Sequence, residues 1–218
     1  GRRLLPEAHT PQGRVIRRAL GITPDTPRWT PPTQVISALR ELPPAALPDP
    51  LPQIIDADDQ AWALADGRIQ PITGTQRTML LDAGAKAAVA SRASLAAYPD
   101  AEEELRLPRE RPRWVEPHLA CVDQNRGGAT VDEVPEGIEL SGTSVATHFA
   151  GLDGGSVGVD SGHGFHVVSA NGLRHRAPDA ETLATVGAAH VEDVPWEIVA
   201  LLPEGAELSR DAAMTATY

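Results

Sequence analysis

Three groups of side chains have the types that chemistry needs. Ser141-Gly142-Thr143-Ser144-Val145-Ala146-Thr147-His148 sets a serine among small residues, and Asp160-Ser161-Gly162-His163-Gly164 follows it. Acyl transfer needs a serine activated by a histidine that a carboxylate orients. Here the acid and the histidine both come after Ser144, no Gly-His-Gly-Thr-His type segment precedes the serine, and the Gly-rich run beyond it reads as a loop feeding a hairpin. Phosphoryl transfer needs a Gly-rich loop that ends in a lysine and a hydroxyl residue. The only lysine is Lys86, in Gly84-Ala85-Lys86-Ala87, which reads as a helix stop and restart. His163 and His166 are three apart, so in a strand they face opposite ways and suit one metal ion badly; His148 could join them only through folding that the sequence does not reveal. The expectation is no catalytic, cofactor-binding or metal site. A degenerate serine hydrolase using Ser144 stays as an alternative.

Two further residue types bear on function. Cys121 is the single cysteine. It is either a buried free thiol or half of a disulfide whose partner lies outside this chain. Trp29, Trp62, Trp114 and Trp196 could form a glycan surface, which makes a peptidoglycan-binding envelope module the other alternative. For Trp62 and Trp196 core packing is the stronger reading, because both fall at repeat positions.

The elements that position these residues repeat. In the last copy, Phe165 to Ala177 reads as a hairpin with Asn171-Gly172 as a tight two-residue turn. Pro178-Asp179 opens a helix over Ala180 to Val186, and Gly187 stops it in the left-handed conformation. Val194-Pro195 opens a second helix with Trp196, Val199, Leu201 and Leu202 on its apolar side, and Ser209 caps a final turn. An earlier copy has a strand near Gln53 to Ile55, a hairpin around Asp66-Gly67, a helix from Gln76 to Leu81 stopped at Gly84, and an alanine-rich helix from Lys86 to Ala97. A first copy holds a helix from Gly13 to Leu20 and another from Thr30-Pro31-Pro32 through Leu39, with no upstream strand. The chain thus reads as a piece of a longer protein. Between the later copies, Trp114 to Val122 and Val131 to Leu140 read as extended strands broken at Gly127-Gly128.

The expected class is therefore α+β: small β-hairpin/two-helix repeat lobes arranged around a central β-sheet core. Residues 1–50 end one lobe, 51–105 form a complete lobe, 106–159 form the central β segment, and 160–218 form the C-terminal lobe. Trp62, Gly67, Gly172, Pro195, Trp196 and Leu201 are the expected repeat-core residues. Aromatic residues make up only 4% of the 218, so each lobe buries little and should lean on its neighbours. The formal charge of -11 repels phosphate backbones, which argues against nucleic acid as a partner. No apolar run of about 18 residues is present to span a bilayer.

The last lobe resembles the C-terminus of EccB, a type VII secretion component of actinobacteria. The resemblance rests on Gly172, Pro178, Ala180, Glu181, Gly187, Val194-Pro195-Trp196-Glu197-Ile198-Val199, Leu201-Leu202, Gly205 and Leu208-Ser209-Arg210-Asp211-Ala212-Ala213. Upstream it is carried by Gly67-Arg68-Ile69 and Arg18-Ala19-Leu20-Gly21-Ile22, and Cys121 looks like the second member of the family's cysteine pair. Where the family often has Pro-Gly-x-Gly, this chain has Leu140-Ser141-Gly142-Thr143. The Ser144 region separately resembles the serine motif of subtilases, but with the order of the three groups changed.

Membership of the EccB family would imply a cell-membrane protein with an N-terminal transmembrane helix and a periplasmic domain of four repeat lobes around a sheet, tied by a disulfide. It would also imply assembly with other type VII (ESX-type) secretion subunits and the mycosin protease, possible self-association, and a scaffolding role. ATPase activity is associated with the family, although no nucleotide-binding motif is visible here.

Overall fold

The computed structural model describes residues 1–116, 119–131, 137–140, 142–152, 155–209 and 214. The chain runs β1 (Arg2–Arg3), α1 (Pro11–Ala19), α2 (Thr33–Ala38) and β2 (Glu41–Leu42) into a first complete lobe. That lobe is β3 (Gln53–Ala57), β4 (Gln60–Ala65), β5 (Arg68–Ile72), α3 (Gly74–Asp82), β6 (Ala87–Val89) and α4 (Arg92–Leu95). A middle segment follows with β7 (Leu119–Val122), β8 (Gly128–Val131), β9 (Ile138–Glu139) and β10 (His148–Phe149). The C-terminal lobe is β11 (Ser156–Asp160), β12 (Phe165–Ser169), β13 (Arg174–Ala177), α5 (Ala180–Thr185), β14 (Val191–Asp193) and α6 (Trp196–Val199). The class is α+β, as expected.

The two complete lobes share one topology. Their sheets have the orders β5-β4-β3-β6 and β13-β12-β11-β14, antiparallel except for the last pair. The ladders align residue by residue. Ile54 N–H donates to the Lys86 carbonyl as Gly158 N–H does to that of His190, and Ala90 to Asp56 as Val194 to Asp160. The segment after α4 or α6 turns back beside β5 or β13 through the isolated parallel bridges Ile69–Asp100 and Arg174–Glu204. Trp62 thus corresponds to His166, Ile69 to Arg174, Ser91 to Pro195, Arg92 to Trp196 and Leu95 to Val199.

The chain divides into two compact units. One comprises residues 3–28 and 41–116. In it, α1 and α3 cover one face of the first sheet around Ile16, Ile54, Met79, Leu80 and Leu107, all buried. Thr10 caps α1 through the Gly13 N–H at 3.0 Å. Thr73 and Gln76 cap α3 reciprocally, and the Gln76 amide donates to the Leu107 carbonyl at 3.1 Å. The other sheet face carries a smaller cluster of Ile55, Ala57, Ile69 and Leu95, with Trp62 packed against it.

The second unit comprises residues 1–2, 29–40 and those from 117 on. Here α5 covers the sheet through Val167, Ala177, Leu183 and Ala188, and α6 covers the opposite face through Val159, Val168 and Val199. Phe149 and Leu152 from the middle segment add to that second face. Gly158 stands where the first lobe has Ile54, because a Cβ there would meet the Ala188 carbonyl oxygen at 2.6 Å and that of His190 at 2.9 Å. Arg126 ties α2 to α6. Its guanidinium donates to the Ser37 and Ala38 carbonyls at 2.6 and 3.2 Å and lies 3.6 Å from Glu197.

Several local expectations change. Lys86 to Ala97 is not a helix. Its first residues pair with β3 as β6, and only Arg92–Leu95 is helical, because tertiary pairing overrides alanine's helix propensity. Asp66-Gly67 forms the two-residue turn, with φ of 51° and 70°, but Asn171-Gly172 does not. There the Gly172 N–H donates to the Ser169 carbonyl and the Ser169 N–H to that of Leu173, giving a three-residue loop with only Gly172 left-handed. Pro195 precedes α6 as its N-cap, and Leu201 and Leu202 lie just past its end. In the middle segment β7 pairs with β8 and β9 with β10, whereas Trp114 and Val115 lie outside any strand. Ser141, residues 132–136 of the second expected strand, part of the Gly-rich run and most of the final turn after Ser209 lie outside the described residues.

Candidate interaction surface and polar cluster

The residues with chemical potential are dispersed. Ser144 Oγ donates to the Ala146 carbonyl at 2.8 Å, and among the described residues neither Asp160 nor His163 bonds to it. Asp160 accepts from the Gly162 N–H at 2.9 Å, so it shapes the β11–β12 loop. Lys86 leads into β6, where its carbonyl accepts from Ile54. His148 contacts Thr147, while His163 lies 6.4 Å from the Trp196 ring. Among the described residues no three His, Cys, Asp or Glu side chains converge as a metal site.

The expected repeat-core residues occupy different environments. Trp62, Pro195 and Trp196 are half-buried, and Gly172 and Leu201 are buried. Gly67 stands outside the core: it is exposed, with open space around it, and its role is the positive φ of the turn. Gly172 is packed, and a Cβ there would meet Leu140 at 2.5 Å and Phe149 at 2.9 Å. Trp29 is 53% exposed, whereas Trp114 donates its indole N–H to the Leu20 carbonyl at 2.8 Å.

A polar cluster gathers around Trp196. The Arg174 guanidinium sits 5.1 Å from the Trp196 ring centroid, donates to the Leu202 carbonyl at 3.1 Å and pairs with Glu204 at 2.9 Å. His166 lies 5.4 Å from the same ring; it is 3% exposed, and its Nδ1 has no hydrogen-bond partner. Burial pushes the His166 pKa below its ordinary value; the Gly164 backbone opposes this and the Arg174 and Arg176 charges add to it. The cluster is built to hold a neutral imidazole. Sequence reasoning did not single out Arg174, and it weighed His166 only as a poor metal ligand, without its burial against Trp196. The signal for Arg174 was its alignment with Ile69, which the extra residue of the Asn-Gly loop disguised.

An apolar groove of about 890 Å³ opens in the second unit. Val159, Val168, Val199 and Leu201 form its floor, and Phe149, Cys121 and Trp29 are among its walls. Cys121 is a half-buried free thiol on β7. The groove is largely apolar, and among the described residues that line it no nucleophile and base are hydrogen-bonded to each other.

The sequence profile of the family described as type VII secretion system ESX-1, transport TM domain B (EccB), matches residues 93–217, more than half of the chain. The chain belongs to the EccB family. A stretch of 49 residues is 41% identical to the ESX-1 secretion system ATPase EccB1 of Mycobacterium tuberculosis, covering 22% of this chain and 10% of that protein. The fold is similar to that of the EccB3 dimer from the ESX-3 core complex, with a TM-score of 0.59 at 18% identity over 97% of this chain and 67% of that one. It is also similar to a chain of an intact ESX-5 inner membrane complex, with a TM-score of 0.49 at 20% identity over 96% of this chain and 55% of that one. This EccB-family chain thus spans about a tenth of the length of the curated relatives it matches. Its fold extends upstream of residue 93, where the profile begins.

Proposed function

We propose that the chain is the periplasmic part of a structural subunit of an ESX-type secretion machine, scaffolding a membrane complex through its lobe surfaces. The family match over residues 93–217 carries this reading, and the fold shared with EccB3 supports it. The partners are other ESX subunits, further copies of the chain and the mycosin protease, and the anchor is a transmembrane helix N-terminal to this chain. The segments 1–50, 51–105, 106–159 and 160–218 then act as a partial lobe, a complete lobe, a β core and the last lobe. Cys121 is half of a disulfide with an upstream cysteine.

The test is gentle detergent extraction of the tagged full-length protein, followed by sizing and mass spectrometry. A large assembly holding other secretion subunits is expected; a lone small protein would overturn the scaffold reading. Thiol labelling of the same material with and without reductant checks the disulfide, because a paired Cys121 labels only after reduction.

A further inference from the structure

Each lobe's sheet ends in a three-residue parallel strand, β6 or β14, with no further strand paired beyond it among the described residues. In a parallel ladder alternate residues bond inward. The Lys86 carbonyl and the Ala90 N–H are used on β3, at 2.8 and 3.0 Å, so Ala87 and Val89 turn their backbone groups outward. The His190 carbonyl and the Val194 N–H are likewise used on β11, so Val191 and Asp193 face outward. The two edges differ in charge. Residues 83–99 contain no aspartate or glutamate, and Lys86 and Arg92 flank β6. β14 carries Glu192 and Asp193, with Pro195 just beyond. Val89 is 87% exposed and Val191 38% exposed, so each edge presents an uncovered valine.

We propose that the β6 edge of one copy takes the β14 edge of a second copy as an added antiparallel strand. This deepens the self-association named above and rests on that reading. In the register that overlaps the two edges fully, Val89 pairs with Val191 of the second copy and Ala87 with its Asp193, each pair exchanging both N–H···O bonds. Lys86 then lies diagonal to Glu192 of the second copy, within reach of a long side chain. Two β14 edges that overlap fully about a two-fold axis would place Glu192 directly opposite its own copy, which disfavours that pairing. Acidic residues on an edge strand are a guard against self-pairing; β6 has none. The contact is heterologous, so each pair leaves one edge of each kind free and the assembly extends or closes into a ring.

The experiment uses the full chain in a Cys121→Ser background. A copy with Ala87→Cys and a differently tagged copy with Asp193→Cys are mixed and oxidised. The expected result is a disulfide joining the two tags, at least about tenfold more abundant than either same-tag product; the added substitution Val89→Asp lowers it about tenfold, and sizing shows species larger than a dimer. Val89 is solvent-exposed, so that change leaves the lobe folded. A predominant 87–87 product overturns the proposal in favour of β6 pairing with itself. Cross-linking no better than a control cysteine pair elsewhere also overturns it. In that case, concentration-dependent oligomers of the unsubstituted chain would leave self-association standing through another surface, and a monomer at every concentration would remove both.

Discussion

The lobe at residues 53–101 and the lobe at residues 156–205 build the same sheet from different side chains. In the first, Trp62 and Ile69 line the face under α4, and Arg92 occupies the first position of that helix. In the second, His166 and Arg174 replace them on the sheet, and Trp196 occupies the helix position. The aromatic residue moves from sheet to helix and a cation takes the place of Ile69. The first lobe closes that face with apolar packing of Trp62 and aliphatic side chains; the second closes it with a ring, a guanidinium and an imidazole. Hydrogen-bonded backbone defines the fold, and the chemistry of one face varies within it.

The largest expected effect lies in the helix-covered cores. Leu80→Ala and Leu183→Ala, both fully buried, should each cost roughly 2–5 kcal/mol in urea unfolding. Leu80 should fall nearer the upper end, because its cluster also holds Ile16, Met79 and Leu107. Equal costs would mean that the two lobes are packed alike.

The hairpin glycines come next. Gly67→Ala places a Cβ in open space at φ 70°, for a cost of about 1 kcal/mol. Gly172→Ala at φ 69° adds a collision with Leu140 and Phe149 and should cost about 2–3 kcal/mol in the same assay. A reversed order would break the distinction between an open and a packed turn.

Smaller is the ion pair that only the first lobe has. Arg77 donates to both Asp56 oxygens, at 2.9 and 2.7 Å, with both side chains about a third exposed. Arg77→Ala should cost about 0.5–1 kcal/mol, shrinking in high salt. The hydrogen bonds from Arg77 hold the Asp56 carboxyl below its ordinary value, so this contribution is present above about pH 4 and is lost as pH falls through the native pKa.

His166 gives the second lobe a different pH response. Its native pKa is lowered, so the unfolded chain takes up the proton first and the lobe weakens as pH falls below about 6.5. Melting curves at pH 7.5 and 5.5 should show this drop, and His166→Phe should reduce it.

Much of this arrangement was legible in the residues. The Asp66-Gly67 and Asn171-Gly172 pairs marked the hairpins, Gly84 and Gly187 marked the helix stops, and the α+β class followed. Thr73 and Gln76 were a readable capping signal that went unused. The parallel strands β6 and β14 were not legible, because three residues paired with a strand distant in sequence leave no local period. The groove and the Trp196 cluster were hidden for the same reason: their residues come together only through the ladder.

The spacing of the two lobes carries a consequence for how such proteins change. Ile54 and Gly158 are 104 positions apart, Ile69 and Arg174 are 105, Leu80 and Leu183 are 103, and Leu95 and Val199 are 104 again. The extra residue in the hairpin, the extra Pro178 before the helix, the helix shorter by three residues and the turn before β14 longer by one cancel before the lobe closes. A recombination event that exchanged the lobes at β3 and β11, or at α4 and α6, would keep the reading of every strand and conserve length. One that fell inside the helices would shift the following strand by a residue and turn its core outward.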